Sequence, residues 1–398
     1  MKDLVIVGPR PPLLGRLELR GGKNAALPIL LTTAATPHTV VVENLPRALG
    51  DIQAANALLA SIRGGLTSDA TGPAIRSTPL LLTALLGQHR RASVPLPGGC
   101  AIGPRPIAAH LELLEHLGAS TLVTGGRLVA EAPNGLRGAT FVVAGYSTTA
   151  TQLAILGAAL ARGPSRIVGG NLRFENRAFI AALTSLGASV AIEGDEVHTL
   201  GGGFGGGTVR VPATGDEALT WLIAGLLTGG ALAVGPIDRD GMLAEAALLT
   251  DAGARVSWEG AWVRAEAGTL RAVTVRTGPP PALGSDCQPL VAALATRLPG
   301  ATQIEDARFP ERFQYLTQLE RLGARVGRTP TGARIDGSSD RLHGADVEAP
   351  DLRGGMALVL AALSAQGETR IRHIERVERG YEHLSERLGL ALGGTADV

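Results

Sequence analysis

The sequence predicts an α/β protein of two similar domains, each made of three repeats, with helices inside and sheets outside. Three observations carry this. A short phrase recurs along the chain, its recurrences are nearly evenly spaced, and an almost wholly apolar segment stands upstream of each. The phrase reads "HLGASTLVTGGRLVAE" (116–131), "SLGASVAIEGDEVHTL" (185–200), "DAGARVSWEGAWVRAE" (251–266) and "RLGARVGRTPTGARID" (321–336). Degenerate copies are "SIRGGLTSDATGPAI" (61–75) and "RLGLALGGTADV" (387–398).

Each phrase predicts a helix closed by glycine, then two short alternating strands joined by a polar turn. The glycines Gly118, Gly187, Gly253, Gly323 and Gly389 are 69, 66, 70 and 66 residues apart. That period is longer than any common solenoid repeat, so each repeat is a small α/β motif. Two unrelated α/β domains sharing a helix-cap phrase are the alternative, and the even spacing argues against them. Upstream stand "NAALPILLTTAATPHTVVVENL", "TQLAILGAALARGPSRIVGG", "TWLIAGLLTGGALAVGPI" and "MALVLAALSAQGETRIRHI". Each begins with a segment apolar nearly all round, which marks a buried helix, and ends in a strand-like run. The repeat is therefore helix–strand–helix–strand–strand, six times over. The run "GGGFGGG" (201–207) lacks the strand–helix context of a phosphate cradle and reads as a flexible inter-domain linker.

Composition narrows the function. The 398 residues carry 37 basic and 36 acidic side chains, a formal net charge of +1, and only 3% aromatics. A nucleic-acid binder normally shows a basic stripe and stacking platforms, so none is expected. Two cysteines, Cys100 and Cys287, make no disulfide framework and suit a reducing compartment. The start "MKDLVIVGPR" lacks a signal peptide's apolar core, and the apolar run 220–234 is short and broken by glycines. A soluble cytoplasmic protein with no membrane partner is expected. No CxxC or HExxH offers a metal site, and neither GxGxxG after a strand nor a Walker lysine is present. No metal or cofactor is expected.

The repeat also locates the chemistry. At or just before each buried first helix stands a polar residue that a core does not need: Lys23 with Asn24, Arg76, Ser147, Asp216, Asp286 and Arg353. Lys23 precedes Gly65 by 42 residues, and Arg76 precedes Gly118 by 42. Equivalent positions in pseudo-symmetric domains face one region. A shared cleft would then gather positive helix ends with Lys23, Arg76 and Arg353, a setting for a small, multiply charged anion. Ordinary N-caps are the competing reading. His110 reads as a satisfied polar residue rather than a base.

"LRGGKNAALPIL" (19–30), "LPGGCAIGPRP" (96–106), "SDCQP" (285–289), "FPERF" (309–313), "DLR" (351–353) and "ERGYE" (378–382), in collinear order, resemble UDP-N-acetylglucosamine enolpyruvyl transferases. These share a superfamily with 5-enolpyruvylshikimate-3-phosphate synthase. The resemblance implies a two-domain inside-out α/β barrel of the enolpyruvyl transferase/RNA-terminal phosphate cyclase type. It places one domain at 21–212 with the Cys100 loop, the other at 1–20 plus 213–398, and the active site between them.

The implied reaction moves the enolpyruvyl group of phosphoenolpyruvate to a uridine nucleotide hydroxyl, releasing phosphate by addition and elimination through a tetrahedral ketal. By motif, Lys23, Arg105 and Arg379 would bind phosphoenolpyruvate, with Arg76 and Arg312 adding positive charge. Cys100 would act in proton transfer or phosphate release, and fosfomycin should alkylate it. Asp286 would be the base, Asn24 would orient the acceptor hydroxyl, and Asp351 would hydrogen-bond the intermediate. Arg105, Pro106, Ser147, Thr148, Asp286 and Phe309 would contact the nucleotide. No oligomeric state is implied.

The acceptor half departs from the family pattern. Where a lysine usually grips the diphosphate, this chain reads "AGYSTTAT" (144–151), with Gly145 at the lysine position and Ser147 kept. "RPIAAH" (105–110) lacks the usual aspartate, "ATGDEALT" (213–220) replaces an acidic–arginine stretch, and the first repeat is short of its strand pair. These losses point to a specialised relative acting on the 3′-hydroxyl of uridine monophosphate, as enzymes of nucleoside-antibiotic pathways do. The alternatives are UDP-N-acetylglucosamine in peptidoglycan synthesis and, more remotely, a non-catalytic nucleotide-binding homologue.

Overall fold

The apolar first segments of the repeats fold as six buried helices: Lys23–Leu31, Thr78–His89, Thr148–Leu160, Gly215–Leu227, Gln288–Ala295 and Leu352–Ala362. In the last three every residue is buried, as their lack of a polar face requires. The structure is a computed structural model that describes residues 2–63, 68–99, 107–338 and 342–391. The described chain forms two compact units, each with its own apolar core. Unit I comprises residues 20–99 and 107–212, and unit II comprises 2–19 and 213–391.

The second helices, such as Ala108–His116 and Phe174–Ser185, bury one face only. The phrase glycines end them as expected. Gly118, Gly187, Gly253 and Gly323 have φ between 85° and 97°, a left-handed conformation that costs a residue with a Cβ about 1 kcal/mol or more. Two copies differ. Gly65 lies outside the described residues, and Gly389 lies inside the helix Leu384–Ala391. There the phrase reads "LGL", which continues a helical pattern instead of opening a strand.

Three of the sheets share one four-strand order. In unit I, Thr140–Val142 runs parallel to Arg162–Val168, which pairs antiparallel with Glu196–Gly201, which pairs antiparallel with Val190–Glu193. In unit II the same order holds for Leu14–Glu18, Ala231–Gly235, Trp262–Ala267 and Ala254–Glu259. It holds again for Thr274–Arg276, Gly300–Glu305, Gly332–Gly337 and Arg325–Thr329. In the first and third of these sheets the parallel leading strand comes from the preceding repeat, so strand pairing links the repeats. Unit I returns to its start where Gly207–Arg210 pairs with Val40–Glu43. Unit II does so with its N-terminal strands: Leu4–Gly8 joins Gly367–Arg372 in the place a missing repeat strand would fill, and Leu14–Glu18 leads the sheet of Ala231–Gly235. The α/β class and the helix-inside arrangement agree with the sequence. The six sheets are separate, and among the described residues none closes on itself as a barrel.

The run 201–207 corrects the sequence reading, because it is no linker. It lies within unit I, where the amides of Gly202, Gly203, Gly205 and Gly207 donate to the carbonyls of Ala161, Ala159, Leu186 and Thr39 at 2.8–3.0 Å. A Cβ on Gly201 would lie 2.2 Å from the Ala161 carbonyl oxygen, so glycine here allows close backbone packing.

Candidate active site

The polar residues picked out by the repeat all stand at the N-terminal ends of the buried helices. In unit I, Lys23 and Asn24 are the first two residues of Lys23–Leu31. Gly21 is required, because a Cβ there would meet the Asn44 carbonyl oxygen at 2.5 Å, and the Gly22 amide fixes the chain by donating to the Pro212 carbonyl at 2.8 Å. The Lys23 side chain is 15% exposed, with Nζ 3.4 Å from Asp51 Oδ2. Arg76, half-buried, sits in the turn before Thr78–His89.

Ser147 caps Thr148–Leu160, its Oγ accepting from the Ala150 amide at 3.3 Å. Thr148 Oγ1 accepts from Asn171 Nδ2 at 3.0 Å, and His110 Nε2 lies 2.8 Å from Thr149 Oγ1. Burial, helped by the Arg76 charge, lowers the His110 pKa to about 4. The imidazole is therefore neutral at pH 7. Gly145 has φ +68° and no heavy atom within 4 Å of a Cβ built there. The expected sites Cys100, Arg105 and Pro106 lie outside the described residues.

Unit II holds a buried charge network. Asp286 occupies the turn Ser285–Cys287 ahead of Gln288–Ala295, with its side chain 35% exposed. Its Oδ1 lies 2.8 Å from Arg312 Nη1, and its Oδ2 lies 3.6 Å from Arg353 Nε. Both guanidiniums are almost fully buried, and Arg312 Nη1 also donates to Ser285 Oγ at 3.0 Å. Arg353 Nη2 pairs with Asp216, while its Nη1 donates to the Tyr381 hydroxyl at 2.7 Å, which in turn shares a hydrogen bond with Thr220. Burial works against the Arg353 charge, but Asp216, Tyr381 and Asp286 outweigh it and raise its pKa. Tyr381 is pushed up to about 12 by burial and stays protonated. Asp351 caps Leu352–Ala362, accepting from the Arg353 and Gly354 amides at 3.0 and 3.3 Å.

Asp216, Asp286, Arg312 and Arg353 balance in charge, and the network fixes one carboxylate, that of Asp286, where it is part-exposed and can accept a proton. Asp286, Arg312 and Arg353 come together directly, and Asp351 anchors the backbone of Arg353. Arg379, half-buried, follows the short helix Glu375–Glu378. Phe309, half-buried, has the Arg308 guanidinium 5.2 Å from its ring centroid. Sequence reasoning missed Tyr381 as the partner of Arg353 and His110 as the partner of Thr149. Tyr381 stood within the quoted "ERGYE", but only folding brings it to Arg353. Cys287 is a buried thiol 3.6 Å from Glu245 Oε1, and burial holds its pKa well above the usual thiol value, so it is no nucleophile. Among the described residues no cluster of three or more His, Cys, Asp or Glu could hold a metal ion. No described helix is long and apolar enough to cross a membrane.

Residues 70–388 match the family model of EPSP synthase (3-phosphoshikimate 1-carboxyvinyltransferase). The chain is 34% identical to UDP-N-acetylglucosamine 1-carboxyvinyltransferase 2 of Mesorhizobium japonicum, covering 98% of each chain. It is 33% identical to the UDP-N-acetylglucosamine 1-carboxyvinyltransferase of Beijerinckia indica over 98% of this chain and 97% of the relative. Among solved structures it resembles the enolpyruvyl transferase NikO from Streptomyces tendae, with a TM-score of 0.87 and 25% identity over 98% of this chain and 97% of that one. EPSP synthase from Acinetobacter baumannii shares the fold at a TM-score of 0.74 and 17% identity, covering 98% of each chain. The chain belongs to the EPSP synthase family and is an enolpyruvyl transferase.

Proposed function

We propose that this enolpyruvyl transferase moves the enolpyruvyl group of phosphoenolpyruvate to the ribose 3′-hydroxyl of uridine monophosphate and releases phosphate. The observation that carries the acceptor assignment is the turn at residues 144–151. It offers the Ser147 and Thr148 hydroxyls and a helix N-terminus, but no cationic side chain. A helix N-terminus with hydroxyls suits a single phosphate. A diphosphate calls for a further cation, since a charge-assisted contact contributes ~1.5–3 kcal/mol. Neutral His110 behind Thr149 adds no charge there.

In this reading Lys23, Arg105 and Arg379 bind the phosphate and carboxylate of phosphoenolpyruvate, and Arg76 and Arg312 strengthen the positive field. Asp286 removes the acceptor's hydroxyl proton as that oxygen attacks C2, while Cys100 serves proton transfer at C3. Elimination of phosphate from the tetrahedral ketal, with Asp286 taking the methyl proton, restores the vinyl group on the acceptor. Asn24 orients the hydroxyl, and Asp351 holds the intermediate. Arg105, Pro106, Ser147, Thr148 and Phe309 contact the nucleotide.

The second reading takes UDP-N-acetylglucosamine as acceptor, and the names of the 32–34% identical relatives favour it. Phosphate release from phosphoenolpyruvate, measured separately with each nucleotide, decides between them. Turnover with uridine monophosphate supports the proposal, and turnover with UDP-N-acetylglucosamine alone overturns it.

A further inference from the structure

Away from the residues discussed so far, unit I has a cavity of about 520 Å³ lined by Arg90, Pro133, Asn134, Arg137 and Arg162. It lies at the far end of two buried helices. Arg90 is the C-terminal cap of Thr78–His89, and Arg162 follows Thr148–Leu160 by two residues. At 1.5 Å per residue, helices of 12 and 13 residues place it about 18 Å from the ends that carry Arg76 and Ser147.

The arginines stand on a fixed backbone. The Ala132 amide donates to the Arg90 carbonyl at 2.6 Å, the Gly138 amide to the Arg162 carbonyl at 2.9 Å, and the Arg162 amide to the Leu136 carbonyl at 2.9 Å. Arg137 and Arg162 form a parallel bridge. Arg90 adopts φ +56°, and its guanidinium lies against Gly135, where a Cβ would be 1.8 Å from Nη1. Elsewhere on the surface Arg16, Arg91, Arg166, Arg255, Arg276 and Arg372 pair with carboxylates. Among the described residues, the guanidiniums of Arg90, Arg137 and Arg162 have neither a hydrogen bond nor an ion pair, and the Asn134 amide group has none.

Three arginines and no carboxylate line one concavity of ligand size, so charge favours an anion there, and the guanidinium fork matches phosphate oxygens. With no aromatic ring in the lining, recognition rests on charge and hydrogen bonds, not on stacking a base. We propose that this cavity is a second anion site, distinct from the catalytic residues, that takes a small ligand bearing two or more phosphate groups.

The test is calorimetric titration of the full chain with inorganic pyrophosphate at moderate salt. Saturable binding is expected. Arg137→Gln and Arg162→Gln should each weaken it at least tenfold while leaving phosphoenolpyruvate turnover unchanged, and Lys23→Ala should leave it intact. Arg90→Asn, whose side chain tolerates the left-handed backbone, is a third variant that should weaken binding should either glutamine variant fail to fold. Binding that survives all three arginine variants, or that disappears in Lys23→Ala, overturns the proposal. So does the absence of saturable binding.

Discussion

Replacing His110 with glutamine should remove a defined part of the acid sensitivity of unit I. The imidazole is 2% exposed and titrates at about 4 instead of 6.5, because burial, aided by Arg76, disfavours its charged form. The unfolded chain takes up this proton as pH falls through about 6.5, and the folded chain refuses it until about 4. Stability owed to the neutral ring is therefore complete above 6.5, falls as pH drops, and levels off below 4. A difference of 2.5 pH units corresponds to about 3 kcal/mol in total, with a limiting slope near 1.4 kcal/mol per pH unit. Glutamine keeps a polar group for Thr149 Oγ1 without the titration. The assay is urea unfolding of wild type and His110→Gln at several pH values from 7 to 4. Wild type should lose about 3 kcal/mol more than the variant across that range. Parallel losses in the two proteins would refute the reasoning.

Asp216→Ala should destabilise unit II by about 3–5 kcal/mol, because it leaves Arg353 buried with one counter-charge fewer. Adding Arg353→Met should recover most of that stability in denaturant titrations without recovering turnover, which separates packing from chemistry beside Asp286. Ser147→Ala removes the N-cap of Thr148–Leu160 and should cost about 1 kcal/mol. In steady-state kinetics the same variant should raise KM for the nucleotide and leave KM for phosphoenolpyruvate unchanged.

The parts of the fold that could be read from the chain are those set by local chemistry. Four phrase glycines announced left-handed helix ends, and all-round apolar segments announced buried helices, because both effects act within a few residues. The even repeat then placed Lys23, Ser147, Asp286 and Arg353 at equivalent helix ends. What stayed hidden depends on distant partners. Asp216 and Arg353 are 137 residues apart, and no local pattern marks their pairing. Composition misled at 201–207, where glycine-rich sequence suggested a loose linker. There the missing side chains let backbone meet backbone. The strand pairing of Gly207–Arg210 with Val40–Glu43 was illegible for the same reason as the ion pair, since the repeats say nothing of how the last meets the first.

A single competition measures the functional reading most directly. Purified protein is given phosphoenolpyruvate with equal concentrations of uridine monophosphate and UDP-N-acetylglucosamine, and the products are weighed by mass spectrometry. The expected result is an enolpyruvyl ether of uridine monophosphate, with one phosphate released per product. An enolpyruvyl group found only on UDP-N-acetylglucosamine would contradict the acceptor assignment, and an unmodified pair of nucleotides would contradict the reaction itself.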